Sequence, residues 1–280
     1  MASQTAPLQS VTTVIAPPRG WVPVDLRELW QYRDLLLVLT RRTISIRYKQ
    51  TLLGASWAII QPVTMMVVFN IVALLGDLPS DGLPRPIFLY TALLPWLLFA
   101  TGLTTAANSV ASNQNLVTKV YIPRMVLPIS AVLPGLVDFA IASVVMAGLM
   151  AYYRVLPGVE ALAIPLFIML AMVTALGFGL WLAALNVRIR DVRLALPFAI
   201  QLWLFLTPVL YTTNAVPQQW RVIYGMNPMT SVIEGFRWGL LGEGQPPGSM
   251  LIVSVAVALA VLISGVFYFR RAEREFADIV

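Results

Sequence analysis

Six apolar runs, at 52–75, 87–107, 127–153, 161–185, 194–211 and 250–269, leave this chain one class of fold. A bilayer core about 30 Å thick is crossed by about 20 mostly apolar residues rising 1.5 Å each. In lipid every peptide group needs a partner within the protein, and a helix supplies one locally. The runs predict an all-α integral membrane protein with six transmembrane helices. Composition agrees, with 59% hydrophobic and only 11% charged residues, against roughly 25% charged in globular chains.

The fifth run is short, and 215–241 beyond it is apolar but broken by Pro217, Gly225, Pro228 and Gly235. Trp220, Arg221, Glu234 and Arg237 fall inside it, which makes a poor lipid-facing span. This stretch predicts one or two re-entrant outer helices between spans five and six, dipping in from one side and returning. Such backbone is tolerated only where protein or water covers it.

Charge placement predicts orientation. Of the 19 lysines and arginines, all but Arg85, Arg154, Arg221 and Arg237 fall on the side holding both termini. Cytoplasmic loops keep the excess of Lys and Arg, so both termini are expected in the cytoplasm. The net charge of +6 therefore reports topology and does not point to nucleic acid. Residues 1–23 read as a flexible lead without the apolar core of a cleaved signal. In 24–39, Leu26, Leu29, Trp30, Leu36 and Leu37 share a face, while Arg27, Glu28, Gln31 and Asp34 lie elsewhere. This predicts an amphipathic helix in the cytoplasmic membrane interface within a 24–50 segment. A soluble helix packed on the cytoplasmic loops is the alternative. The membrane domain is expected over 51–271 and a cytoplasmic tail over 272–280.

Several chemistries are excluded. The chain has no cysteine and no histidine, which removes disulfides, thiol chemistry, zinc sites and histidine acid–base catalysis. No carboxylates pair at catalytic spacing, so no catalytic residue, metal site or enzyme activity is expected. The G-x-x-x-x-G-K-[ST] phosphate loop is missing too, so any ATP hydrolysis belongs to another chain, with ATP and Mg bound there and no cofactor here. Asp138 is the one ionisable group in mid-membrane. A carboxylate without a partner makes a poor proton relay, so the preferred reading is a structural fixture, protonated or hydrogen-bonded to a neighbouring helix.

Between the fourth and fifth runs sits a charged knot, Asn186 to Arg193, with three arginines and one aspartate in eight residues. It has to be a membrane-surface loop, and orientation alone gives Asp191 no reason.

Short motifs carry a resemblance. Arg47-Tyr48-Lys49-Gln50-Thr51-Leu52-Leu53-Gly54-Ala55-Ser56-Trp57 is followed by Gln61-Pro62; Leu94-Pro95-Trp96 comes next, with Phe99. Asn115 to Lys119 precedes Tyr121-Ile122-Pro123-Arg124. Asn186 to Arg193 leads to Thr207-Pro208-Val209, then Asn227-Pro228-Met229 with Glu234 and Arg237. In this order and spacing, over roughly 30–271, the chain resembles the membrane (permease) subunit of ABC-2 type exporters of cell-surface polysaccharides, the O-antigen, capsule and teichoic acid family.

The resemblance implies a homodimer in a bacterial inner membrane, bound to two copies of a cytoplasmic ABC ATPase. Its substrate would be a lipid-linked polysaccharide, with O-antigen the nearest in type. It makes 113–124 an ATPase-coupling segment of Asn115, Lys119, Tyr121, Pro123 and Arg124. Lys119, Tyr121 and Arg124 would be its exposed contacts; positive-inside anchoring is the alternative. Arg188, Arg190, Asp191 and Arg193 would form a cytoplasmic gate, pairing among themselves or with the N-terminal helix, or meeting anionic substrate. Trp57, Trp96, Phe99, Trp203, Phe205 and Tyr211 are the channel candidates, with Trp57 and Trp203 favoured because they lie inside their spans. Interfacial belts or packing are the alternative for the others. Glu234 and Arg237 can pair three apart on a helix, either lining the outer mouth or, preferably, neutralising each other. An ABC-2 drug or lipid exporter permease and a proton-coupled secondary transporter using Asp138 remain the alternative functions.

Overall fold

The computed structural model describes residues 30–273 except 50, 52, 78, 81, 120–121, 214–216, 218–219 and 243–247. Among the described residues all regular structure is helical. The helices are α1 (Arg33–Lys49), α2 (Trp57–Leu75), α3 (Arg85–Ser112), α4 (Gln114–Lys119), α5 (Val126–Val132) and α6 (Pro134–Tyr153). They continue as α7 (Ile164–Arg188), α8 (Asp191–Leu206), α9 (Arg221–Tyr224), α10 (Pro228–Leu241) and α11 (Ser249–Glu273).

Five segments are long and apolar enough to cross a membrane: Gly54–Leu75, Arg85–Ser112, Val126–Tyr153, Val159–Arg188 and Ser249–Glu273. They correspond to the first four and the last of the apolar runs. The fifth run is shorter than expected. Its helix α8 has 16 residues, a rise of about 24 Å, and ends at Leu206, where Thr207 turns extended and the chain folds inward through buried Val209 and Leu210.

Helix α3 is the core of the protomer. In its most apolar window 78% of residues are buried, against 11% in the first span. The first span therefore leaves most of its surface to lipid or to another chain. Without a hydrophobic drive between helices in lipid, close packing has to hold them together, and small residues permit it. A Cβ on Gly179 would come 2.5 Å from Ala106 of α3, and one on Gly265 of α11 would come 2.6 Å from the Gly177 carbonyl of α7. Backbone meets a methyl group at the first crossing and backbone at the second. Helices α5 and α6 are one span interrupted at Pro134, whose missing N–H weakens the ladder there. The Thr105 hydroxyl donates to the Ala131 carbonyl at 2.8 Å beside that interruption.

The N-terminal helix differs from expectation in extent and in face. Residues 24–29 lie outside the described part, and the helix runs on to Lys49. Leu39 and Thr40 are its buried residues, and Leu35 and Leu36 pack with Leu39 against Val126 and Leu127 of α5. Trp30 and Leu37, expected on the apolar face, are exposed. The longer helix explains the rotation, because the stripe that docks continues through Thr43 to Arg47.

Helix α10 is built by its caps. Asn227 accepts a hydrogen bond from the Met229 N–H at 3.2 Å, Pro228 occupies the first turn, and Gly242 closes the end at φ 67°, as N-cap, proline and left-handed glycine positions require. The helix has 14 residues, nearly all buried. It packs on α3, α7 and α11, so protein covers the stretch that composition made unfit for lipid.

Candidate functional site

At the end of α3, the Asn113 side chain donates to the Ser109 carbonyl at 2.8 Å, and the chain turns into the short surface helix α4. Asn115 and Lys119 are exposed on it. Tyr121 lies outside the described residues. Pro123 and Arg124 are half-buried, and Arg124 is not the exposed contact expected from sequence. Its backbone N–H donates to Glu273 Oε1 at 3.1 Å, and its guanidinium bonds the Glu273 carbonyl. The last turn of α11 draws the cation because unpaired carbonyls and the helix dipole are negative there.

The charged knot sits beside this helix. Asn186 is buried, and its side-chain nitrogen donates to the Ala107 carbonyl and to Asn108 Oδ1, each at 3.0 Å. Arg188, Arg190, Asp191 and Arg193 are exposed. A cavity of about 380 Å³ is shared by Gln114, Asn186, Arg190 and Arg193. Gln114 at the start of α4 and the arginines Arg190 and Arg193 therefore face one recess. Among the described residues nothing pairs with Asp191, so of the alternatives for this loop, pairing with its own arginines is not seen for this carboxylate. It occupies the first turn of α8, where the helix dipole favours a carboxylate.

Asp138 is not isolated. Arg47 and Tyr48 of α1 both donate to its carboxylate, the reading as a fixture held by a neighbouring helix. Burial, then the hydrogen bond to Asp138 and the carboxylate's charge, push the Tyr48 phenol up to about 12.

The aromatic candidates divide. Trp57 is 53% exposed and Phe205 52%, so both present their rings outward. Trp96 and Phe99 are fully packed inside the protomer, which removes them from any channel built on its outer faces. Trp203 is wedged edge-on against Phe99 and Phe178, each at 4.9 Å, and its indole N–H donates to Asn227 Oδ1 at 3.1 Å. Tyr211 joins hydroxyls with Tyr224.

Glu234 and Arg237 pair at 2.9 Å. Arg237 is 4% exposed; it also donates to the Tyr211 carbonyl at 3.2 Å and the Val209 carbonyl at 3.1 Å, and lies 3.8 Å over the Phe88 ring. The pair thus does more than neutralise: it ties the segment after α8 to α10. Sequence reasoning overlooked Asn108 and the pinning roles of Arg47, Tyr48 and Asn227. Only Asn227-Pro228 carried a local signal, that of an N-cap before proline.

The family description "ABC-2 type transporter" matches residues 34–241. The chain is similar to an O-antigen export system permease protein, RfbA, of Myxococcus xanthus, 30% identical over 91% of this chain and 98% of that one. A protein of the same name from Klebsiella pneumoniae is 26% identical over 88% and 95%. The polysialic acid transport protein KpsM of Escherichia coli is 21% identical over 83% and 91%. With four of the five long apolar segments, the buried α10 and the surface helix α4 beside a basic recess all inside the matched region, the chain belongs to the ABC-2 type transporter family.

Proposed function

We propose that the chain is the transmembrane subunit of an ATP-driven exporter that moves lipid-linked polysaccharide, of O-antigen type, across a bacterial inner membrane. The observation that carries this reading is a match to O-antigen export permeases along nearly their whole length. Two copies of the chain would pair and bind two ABC ATPase subunits, which hold ATP and Mg. Both termini, α4 and the 186–193 loop would face the cytoplasm, consistent with the placement of Lys and Arg. ATPase closure would press on α4 with Asn115 and Lys119, and the Asn186–Asn108 link would pass that movement to the arginine loop. Mostly exposed α2 and α8, bearing Trp57 and Phe205, are the faces suited to a channel between protomers. Proton relay through Asp138 is disfavoured, because Arg47 already neutralises it.

The test is complementation of a permease-deficient polysaccharide-exporting strain with this chain and its ATPase. Surface polysaccharide should return, and should be lost when the ATPase cannot hydrolyse ATP, with lipid-linked polymer accumulating inside. Export that persists with the inactive ATPase would overturn the proposal.

A further inference from the structure

The connection between α6 and α7 carries an apolar row that the packing of the chain leaves uncovered. Tyr152 near the end of α6, then Leu156, Val159 and Leu162, are 79–88% exposed, although none of them lies in the middle of a span. A 3₁₀ helix at Val159–Ala163 precedes α7, and its three residues per turn stack Val159 and Leu162 on one side. Leu156 comes three residues earlier. A connection surrounded by water rarely displays so much apolar surface in one place.

The surroundings favour lipid as the occupant. The row runs on into α7 as Leu166 and Met169, both exposed and spaced from Leu162 as one helical face, so it continues the outward side of a spanning segment. Helix α7 has 25 residues, a rise of about 37 Å, which already covers a hydrocarbon core of about 30 Å. The 3₁₀ turn therefore lies at the level of the headgroups. Tyr152 and Tyr153 stand edge-on beside it with ring centroids 5.0 Å apart, and tyrosine collects at that depth. Arg154 and Glu160 are exposed next to the row and have no ion pair among the described residues, so the turn offers one charge of each sign to zwitterionic headgroups.

The inner side of the same turn is seated on α10. A Cβ on Gly239 would come 2.8 Å from Ile164 Cδ1 and 3.2 Å from the Glu160 carbonyl, and one on Gly235 would come 2.2 Å from the Phe167 ring. Four residues apart, the two glycines share one face of α10, and the 3₁₀ turn and the start of α7 rest on it. Whatever lifts the turn also loosens its seat on α10.

We propose that residues 156–162 form a foot set in the lipid leaflet, with Leu156, Val159 and Leu162 below the headgroups, and that this foot ties the packing of α10 to the thickness of the bilayer. The inference stands apart from the exporter reading, since it concerns the phospholipid around the chain and holds for any substrate.

The chain has no cysteine, so single introduced thiols can be spin-labelled in the full chain, reconstituted in phosphatidylcholine nanodiscs. A label on Leu162→Cys should collide several-fold more with oxygen, which concentrates among acyl chains, than with a water-soluble nickel chelate. A label on Glu160→Cys, off the apolar row, should show the reverse preference. Nickel preference at both positions would place the turn in water, and shielding of Leu162→Cys from both reagents would place it against protein; either result overturns the proposal. Hydrogen–deuterium exchange reads the tie to α10. Amides of 228–241 should exchange several-fold faster in thin dimyristoleoyl than in dioleoyl phosphatidylcholine, because a thinner leaflet draws the headgroup level along α7 and away from its foot. Leu156→Ser combined with Leu162→Ser should abolish that difference. Equal exchange in both bilayers for the unaltered chain, or an undiminished difference in the double variant, would overturn it as well.

Discussion

Asn186 of α7 donates its side-chain amide to Asn108 of α3 at 3.0 Å, behind the loop that carries Arg188, Arg190 and Arg193. The same nitrogen reaches the Ala107 carbonyl, so the C-terminal ends of two core helices are fastened at one point. Asn186→Leu would leave a buried carboxamide oxygen and a carbonyl short of a donor. The expected cost is ~1–3 kcal/mol, seen as a lower thermal midpoint in detergent. If α3 drives the arginine loop through this link, ATP hydrolysis by the partner should also lose its coupling to export. Unchanged melting and unchanged coupling would refute the link.

On the proposed function, the 113–124 segment would divide into a docking residue, Lys119, and a fold residue, Arg124. Lys119→Glu should leave melting unchanged and weaken ATPase co-purification by about fivefold or more, a loss of ~1 kcal/mol. Arg124→Glu should instead lower the melting temperature, because it sets a carboxylate against Glu273 and the end of α11. Equal effects of the two variants on stability would contradict this division.

Arg237 should tolerate substitution worst of all. Its removal as Arg237→Met strands Glu234 in a half-buried site and frees the Val209 and Tyr211 carbonyls, at a cost of ~3–5 kcal/mol. The variant should fail to accumulate in membranes. Arg237→Met together with Glu234→Gln should recover part of the level, since no charge is then left alone.

Tyr48 gives a pH signature. Its folded pKa of about 12 lies above the ordinary 10.0, so its contribution is full below pH 10 and fades as pH rises through 12. Tyr48→Phe should cost ~1 kcal/mol, a charged-acceptor hydrogen bond discounted for partial exposure, and cost it equally at every pH from 6 to 9. A stability difference that grows or shrinks across pH 6–9 would show that another group titrates at this site.

The α7–α11 crossing sets a packing limit. Gly265→Val would drive side-chain carbon into the Gly177 carbonyl, which cannot move without shifting a core helix. A loss of ~1–3 kcal/mol is expected, with Gly265→Ala milder. Protease sensitivity of the two variants, ranked in that order, would check it.

Sequence alone determined the helices. Apolar runs and the Asn227-Pro228 start of α10 are local patterns, and lipid demands only that each segment satisfy its own backbone. Tertiary structure decided which side chains meet. Arg47 and Asp138 stand 91 positions apart and Arg124 and Glu273 stand 149 apart, so no local period reveals either contact. The same holds for Trp96 and Phe99, whose aromatic character suits a channel wall and a core equally; only the central position of α3 buries them. Asp191 shows the converse, since its reason is the start of a helix that the apolar run placed three residues too late. A helix is specified by bonds four residues long, whereas a site is specified by which helices touch, and in lipid the touching faces are chosen by small residues and by the partners of buried charges.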